Sequence, residues 1–462
     1  MALMPYLREI PRLLRLCGPI LVAQMAQTLM SFVDTLMAGQ VSATDLAAVA
    51  VATSFWLPLI LLVQGVIMAL TPIISQLNGA RRESEIASAV HQGFWLTLLV
   101  TVPAMLALYY SPQALHWMHV EPELAHKTTG YLHAILWGMP AYALYQVLRN
   151  FSEGLSHTWP TMMLGFIGLV VNVPANYILI HGKFGFPALG GVGCGYASAL
   201  VFWVLLIGMV IYSRYCAPLK NFYIFSSFSM PDWPQIARIF KLGFPIALAI
   251  FCEVTLFTVV ALLLAPFGPE IVAGHQIAIN FSSLIFMIPL SLGMAMTIRV
   301  GHTLGENQPE RAKRISIIGI IFGCAVALLC ALATVAGRYW IGGLYTDNAQ
   351  VLELAASLLL LASLYQISDS AQVIAAAALR GYKDTQTIFY ITFVAFWLCG
   401  LPIGMILGLT NWWVPAMGPH GFWLGFLAGL TLAATALLWR LRVIYARVEN
   451  NRRAHLPLVD GM

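Results

Sequence analysis

Three acids stand where acids are costly. Asp34, Glu253 and Asp369 each lie inside a long apolar run, and a carboxylate in hydrocarbon is unfavourable unless it faces a protein interior or a wet cavity. Glu253 follows Lys241 by twelve residues, roughly 18 Å of helix, and Asp369 precedes Arg380 by eleven, roughly 16 Å. The two therefore sit at nearly one level, near mid-membrane. Asp34, nineteen residues and roughly 28 Å past Arg15, lies toward the far end of its run. A lone acid of this kind reads as a hydrogen bond to a neighbouring helix. Two at one depth read as a shared pocket, in which crowded like charges call for a proton or Na⁺. No Lys or Arg is placed deep in a span to neutralise them, so a cation from solution is the remaining partner. Tyr365, one turn before Asp369, is set to hydrogen-bond it or to offer its oxygen to a cation.

The elements that must position these groups follow from composition. Of 462 residues, 60% are hydrophobic and only 9% charged, against roughly a quarter charged in ordinary globular chains. A surface so poor in charge must face lipid. The net charge of +5 accordingly carries no message about nucleic acid. The seven cysteines have no CxxC spacing, which argues against a disulfide framework or zinc site. The N-terminal apolar run is too long for a cleaved signal. No HExxH, GxSxG or paired catalytic aspartate motif is present, so the chain reads as a non-enzyme without a cofactor.

A bilayer core of ~30 Å takes about 20 apolar residues per helix. Twelve such runs are found, near 14–38, 47–76, 90–110, 129–149, 160–181, 191–213, 241–265, 271–298, 315–336, 350–379, 387–409 and 420–440. With the N-terminus in the cytoplasm, all of the 24 Lys and Arg fall on the inner side except Lys127, Lys183 and Arg338, which places both termini inside.

The halves repeat. Leu16, Pro19 and Ile20 match Leu242, Pro245 and Ile246, 226 positions on, as do Met68 through Thr71 and Met294 through Thr297. Gly154 and Thr158 match Gly381 and Thr385 at 227. Pro187 through Gly190 match Pro415 through Gly418, and Gly193 matches Gly421, at 228. The expected fold is thus all-α and polytopic, with twelve transmembrane helices in two six-helix bundles related by a pseudo-two-fold along the membrane normal. The expected limits are an N-terminal lobe 1–213, a cytoplasmic linker 214–240, a C-terminal lobe 241–445 and a cytoplasmic tail 446–462. Parallel repeats facing a central cavity suit alternating access.

The acidic positions do not repeat. Glu253 corresponds to Gln27 and Asp34 to Val260, so the halves have diverged in role. Asn172 and Asn176, four apart around Pro174, form either a polar pocket with Asp34 or amide links between helices. The eighth run carries Gln276, Asn280, Phe281, Phe286 and Met287, a polar and aromatic mixture able to line a cavity for amphipathic solutes. His275 beside them reads as a satisfied structural residue.

Several motifs carry a resemblance. The run Ala26-Gln27-Thr28 through Phe32-Val33-Asp34-Thr35 to Met37-Ala38-Gly39, then Trp56-Leu57-Pro58 and Gln76-Leu77-Asn78-Gly79, resembles the multidrug and toxic compound extrusion (MATE) transporters of the NorM type. So do Gly191 through Gly195, Pro245-Ile246, Ala273-Gly274-His275-Gln276, Tyr365 through Asp369, and Leu379 through Thr385. The likeness extends from about residue 10 to 440. It implies a cation-coupled antiporter of the bacterial cytoplasmic membrane that expels amphipathic, often cationic drugs and dyes; as both lobes lie in one chain, a monomer in lipid suffices. It also implies that Asp34, Glu253 and Asp369 are the functional carboxylates. Tyr365 would belong to the C-terminal cation site, with Na⁺ or H⁺ as the coupling ion, and Asn172 to a polar N-terminal position. Asn176 falls where some archaeal, proton-coupled relatives have an aspartate. The alternative is a lipid-linked saccharide flippase of the same wider superfamily, whose anionic head groups would demand a basic cavity.

Overall fold

The structure, a computed structural model, describes residues 8–453. The expected placement of both termini, and the part of the expected tail beyond residue 453, lie outside the described residues. Among those described the chain is helical throughout, with no strand.

The elements are α1 (Ile10–Val41), α2 (Ala43–Ile67), α3 (Leu70–Gly79), α4 (Glu83–Tyr110), α5 (Pro112–Trp117), α6 (Pro122–Leu136), α7 (Met139–Gly154), α8 (Trp159–His181) and α9 (Gly191–Tyr215). They continue as α10 (Trp233–Leu264), α11 (Pro269–Gly305), α12 (Pro309–Gly343), α13 (Ala349–Gly381), α14 (Thr385–Phe393), α15 (Leu401–Leu409) and α16 (Pro419–Arg453). Among the described residues, eleven helical stretches are long and apolar enough to cross a membrane. The remaining expected span, the fourth at 129–149, is divided between α6 and α7 at Trp137 and Gly138. Pro140 sits in the first turn of α7, where its missing N–H and its ring interrupt a continuous helix. Pro402 marks a similar fault, and the preceding Val394–Gly400 widens into a π-helical turn.

By contacts the chain forms two units, residues 18–247 and residues 1–17 with 248–462. The repeat limits of 213 and 241 differ from these, because the N-terminal turns of α1 and α10 each pack with the other half's residues. Leu13 is fully buried beside Gly319 of α12, and a Cβ on Gly243 would strike the Val66 carbonyl of α2. The segment after α9 folds back on α4. His91 Nε2 donates to the Ile224 carbonyl (2.7 Å), Trp95 Nε1 to Ser229 O (3.0 Å) and Gln92 Nε2 to Met230 O (3.0 Å).

The sequence repeat is a repeat of contacts. In one unit Leu189 N bonds Leu179 O (3.0 Å) and Gly190 N bonds Ile180 O (3.2 Å). In the other Met417 N bonds Leu407 O (2.9 Å) and Gly418 N bonds Gly408 O (3.1 Å), each 228 positions on. Gly190 and Gly418 both take φ +58°, a left-handed backbone that glycine adopts without steric cost. Gly193 then approaches the backbone of Leu179, and Gly421 that of Leu407 and Gly408.

Candidate functional site

The unit containing residues 248–462 holds the first group. Glu253 projects from α10, and Tyr365 and Asp369 from α13. Glu253 and Tyr365 line a narrow, partly open recess with Phe257, Phe396, Gly400 and Phe426. Tyr365 is wedged edge-on between Trp423 and Phe257, with centroids at 5.7 and 6.5 Å. Asp369 is 2% exposed, and the two carboxylates interact through their charges. Neither accepts a hydrogen bond among the described residues, and Asp369 Oδ1 is buried without a partner. Tyr365 does not bond Asp369, as its spacing allowed. Its packing between Phe257 and Trp423 fixes the ring at the recess. Asp369 does not line the recess itself; the oxygens of Glu253 and Tyr365 there, with the Asp369 charge acting on Glu253, suit a hard cation or a proton.

A fixed positive charge lies nearer than the sequence placed one. Arg380, expected as a flanking residue, is partly buried on α13 and acts electrostatically on Glu253. It makes no ion pair with it. The interior of the other unit also holds a base. Arg149 Nε meets Glu153 Oε1 at 2.7 Å, with side chains 2% and 1% exposed.

That second unit contains Asp34, 8% exposed. Its Oδ1 accepts from Asn172 Nδ2 (3.0 Å) and Asn176 Nδ2 (2.6 Å), and its Oδ2 from Ser198 Oγ (2.9 Å). The structure thus joins α1, α8 and α9 through one carboxylate. Pro174 lies between the two asparagines inside α8, and their spacing of four puts both on the face toward Asp34. Gln27, seven residues before Asp34 on the same face of α1, is partly buried. Ser198 was not singled out from the sequence. Its spacing of four from Cys194, whose Sγ contacts Asp34 O at 3.5 Å, is the one signal it carries.

The α11 candidates divide. Gln276 and Asn280 are exposed and joined at 3.4 Å, and Met287 falls on their face of the helix. Phe281 packs instead on the core around Trp423 and Phe426, and Phe286 points along a third direction. His275 is buried and accepts from Trp423 Nε1 (3.1 Å), a structural role.

The MatE family model matches residues 19–178 and again 245–406, two stretches at the spacing of the internal repeat. The chain belongs to the MatE family. Multidrug resistance protein NorM of Photobacterium profundum is 53% identical over 444 residues, 96% of this chain and 97% of that one. Multidrug resistance protein MdtK of Yersinia pseudotuberculosis is 53% identical over 438 residues, 95% and 96% of the two chains. Among solved structures, the eukaryotic MATE transporter AtDTX14 superposes with TM-score 0.87 at 22% identity, covering 97% of this chain and 99% of its own. An outward-facing multidrug resistance MATE family transporter of the MOP superfamily gives 0.85 at 19% identity, covering 95% and 96%. At these identities the two structures attest the fold. Within this MatE chain the two matched halves carry unlike sites. One acid is saturated with donors, and one acidic pair has none among the described residues.

Proposed function

We propose that this chain is a secondary active multidrug efflux carrier that exchanges Na⁺ or H⁺ for amphipathic, often cationic compounds by alternating access. It resides in the bacterial cytoplasmic membrane with both termini inside and works as a monomer. The reading agrees with the multidrug resistance names of its relatives. What carries it is the pair Glu253 on α10 and Asp369 on α13, the first partly and the second fully buried, beside Tyr365 and without a hydrogen-bond donor or an ion-pair partner among the described residues. Unpaired charge in a low-dielectric recess demands a cation.

A Na⁺ or H⁺ arriving from outside binds the Glu253 and Asp369 carboxylates, with the Tyr365 oxygen adjacent. The same negative charge attracts a lipophilic cation when the small ion has gone. A carboxylate pair cannot stabilise two cations as well as one at low dielectric, so each expels the other. Aromatic groups at the recess, Phe257 and Phe426 among them, supply apolar and cation–π contact to such a solute. Coupling requires that each ligand prefer one of two states, since equal affinity for both would shift nothing. No observation favours the flippase alternative.

The test is ethidium export from proteoliposomes with Na⁺ and H⁺ gradients imposed separately. Glu253→Gln and Asp369→Asn should each cut ion-driven export at least tenfold. Trans-stimulation by substrate on the far side should mark a carrier rather than a channel. Wild-type rates with unchanged ion dependence in both variants would overturn the reading.

A further inference from the structure

At the offset of 227 that relates Gly154 to Gly381, Glu153 corresponds to Arg380 and Arg149 to Ala376. The backbone confirms the register. His157 N bonds Ser152 O (2.9 Å) after α7, and Asp384 N bonds Leu379 O (3.0 Å) after α13. In one half the charge at this position is closed upon its own helix, in the Arg149–Glu153 pair. In the other half Ala376 supplies no such partner. Arg380 makes no side-chain hydrogen bond or ion pair among the described residues, and its Nε is buried without an acceptor. A buried guanidinium N–H without an acceptor is costly, and the fold retains one here at Nε.

Geometry gives it a direction. Arg380 follows Asp369 by eleven residues, about three turns, so both lie on one stripe of α13. The intervening members of that stripe, Val373 and Ala376, are buried apolar residues. Helical side chains lean toward the helix N-terminus, which from position 380 is toward Asp369. Its charge acts on Glu253 of α10, the neighbouring acid.

We propose that Arg380 is the resident counter-charge of the Glu253–Asp369 site. It draws on Glu253 when the coupling cation has left and yields it when the cation returns. Release of the ion then does not strand two bare carboxylates, and the affinity for the ion stays low enough for turnover. Arg380 is a positioning residue in this account, and the inference rests on the reading of that site as the cation site.

The experiment is displacement of bound ethidium from protein in nanodiscs, by Na⁺ at fixed pH and separately by acid at fixed Na⁺. Arg380→Gln should need about tenfold less of the effective ion than wild type. Arg380→Lys should remain within threefold. In the Glu253→Gln background, adding Arg380→Gln should shift displacement by less than twofold. Arg380→Met, also uncharged, serves the same comparison if the glutamine variant does not accumulate. Ion displacement within twofold of wild type in the uncharged variant overturns the proposal, as does an equal shift with Glu253→Gln present. If Glu253→Gln itself leaves ion displacement unchanged, the reading of the site fails. If it abolishes displacement while Arg380→Gln does nothing, only the role of Arg380 fails.

Discussion

Asn176 donates its amide to Asp34 across 2.6 Å, while its own carbonyl oxygen, equally buried, finds no partner. The amide is therefore oriented by its two acceptors, Asp34 Oδ1 and, at 3.2 Å, Asn172 Oδ1. Removing the acceptor strands the donors of Asn172 and Ser198 and leaves Asn176 Nδ2 only its longer bond to Asn172 Oδ1. Each unsatisfied buried donor costs about 1–3 kcal/mol. Asp34→Ala should consequently lower the melting temperature sharply. Asp34→Asn keeps a carbonyl for the two amides and turns its NH₂ to the Ser198 hydroxyl, so its loss should be smaller. Thermal melts in detergent check the order, wild type above Asp34→Asn above Asp34→Ala. Equal losses would mean that the three donors find other acceptors.

Asp369 presents the opposite case. No donor contacts it among the described residues, and Glu253 opposes its charge. Asp369→Asn breaks no hydrogen bond and removes repulsion between like charges, which is strong at low dielectric. Its melting temperature should equal or exceed that of wild type, while Na⁺ or H⁺ ceases to protect the protein against heat. Bound ions stabilise by mass action, so the ion-dependent rise in melting temperature is the quantity to follow. A variant that melts lower yet keeps that rise would show Asp369 to be structural.

The three acids were legible because a charge in an apolar run violates the local pattern. Of the partners of Asp34, Asn172 and Asn176 were legible from their spacing around Pro174, whereas Ser198 was not. Ser198 is an unremarked hydroxyl until α9 packs against α1, and no spacing within one helix reveals a bond across three. Arg380 was misplaced for a related reason. Counting residues locates it beside the cytoplasmic flank, but its charge still acts on Glu253. Phe281 shows the limit of composition, since an aromatic beside polar residues serves core or cavity according to helix rotation. The spans themselves followed from hydropathy. The fault at Trp137 and Gly138 followed from Pro140, whose effect on span length the apolar run conceals. The exchanged ends of α1 and α10 depend on tertiary contacts of Leu13 and Gly243 that no repeat encodes.

The repeated glycines at 193 and 421 allow backbones to touch. A Cβ on Gly193 would lie 2.8 Å from the Leu179 carbonyl carbon, and one on Gly421 would lie 2.4 Å from Gly408 N. Backbone atoms cannot swing aside as a side chain does. Overpacking of this kind costs about 1–3 kcal/mol, occasionally more. Gly421→Ala should destabilise the protein more than Gly193→Ala, as its clash is closer. Folded yield and melting temperature of the two variants check the order. Wild-type stability in Gly421→Ala would mean that α15 and α16 separate without penalty.

Glu9, just ahead of α1, is gripped by Arg299 Nη2 (2.7 Å), Arg12 Nη1 (2.6 Å) and Arg311 Nη2 (3.1 Å). Burial alone would push its carboxyl up, but the hydrogen bonds and charges of Arg299 and Arg311 outweigh that and hold it below its ordinary value. A depressed folded-state pKa means that the unfolded chain binds the proton first as pH falls. The cluster's contribution is thus fully present above the usual glutamate value of about 4.3 and is lost as pH drops through the folded-state value. Glu9→Gln removes the charge at every pH. The wild-type advantage in melting temperature over Glu9→Gln should stay constant from neutral pH down to about 5 and narrow below about 4.3. Melts across that range provide the check. An advantage that instead vanishes between about pH 6 and 7 would place the pH-sensitive group elsewhere than Glu9.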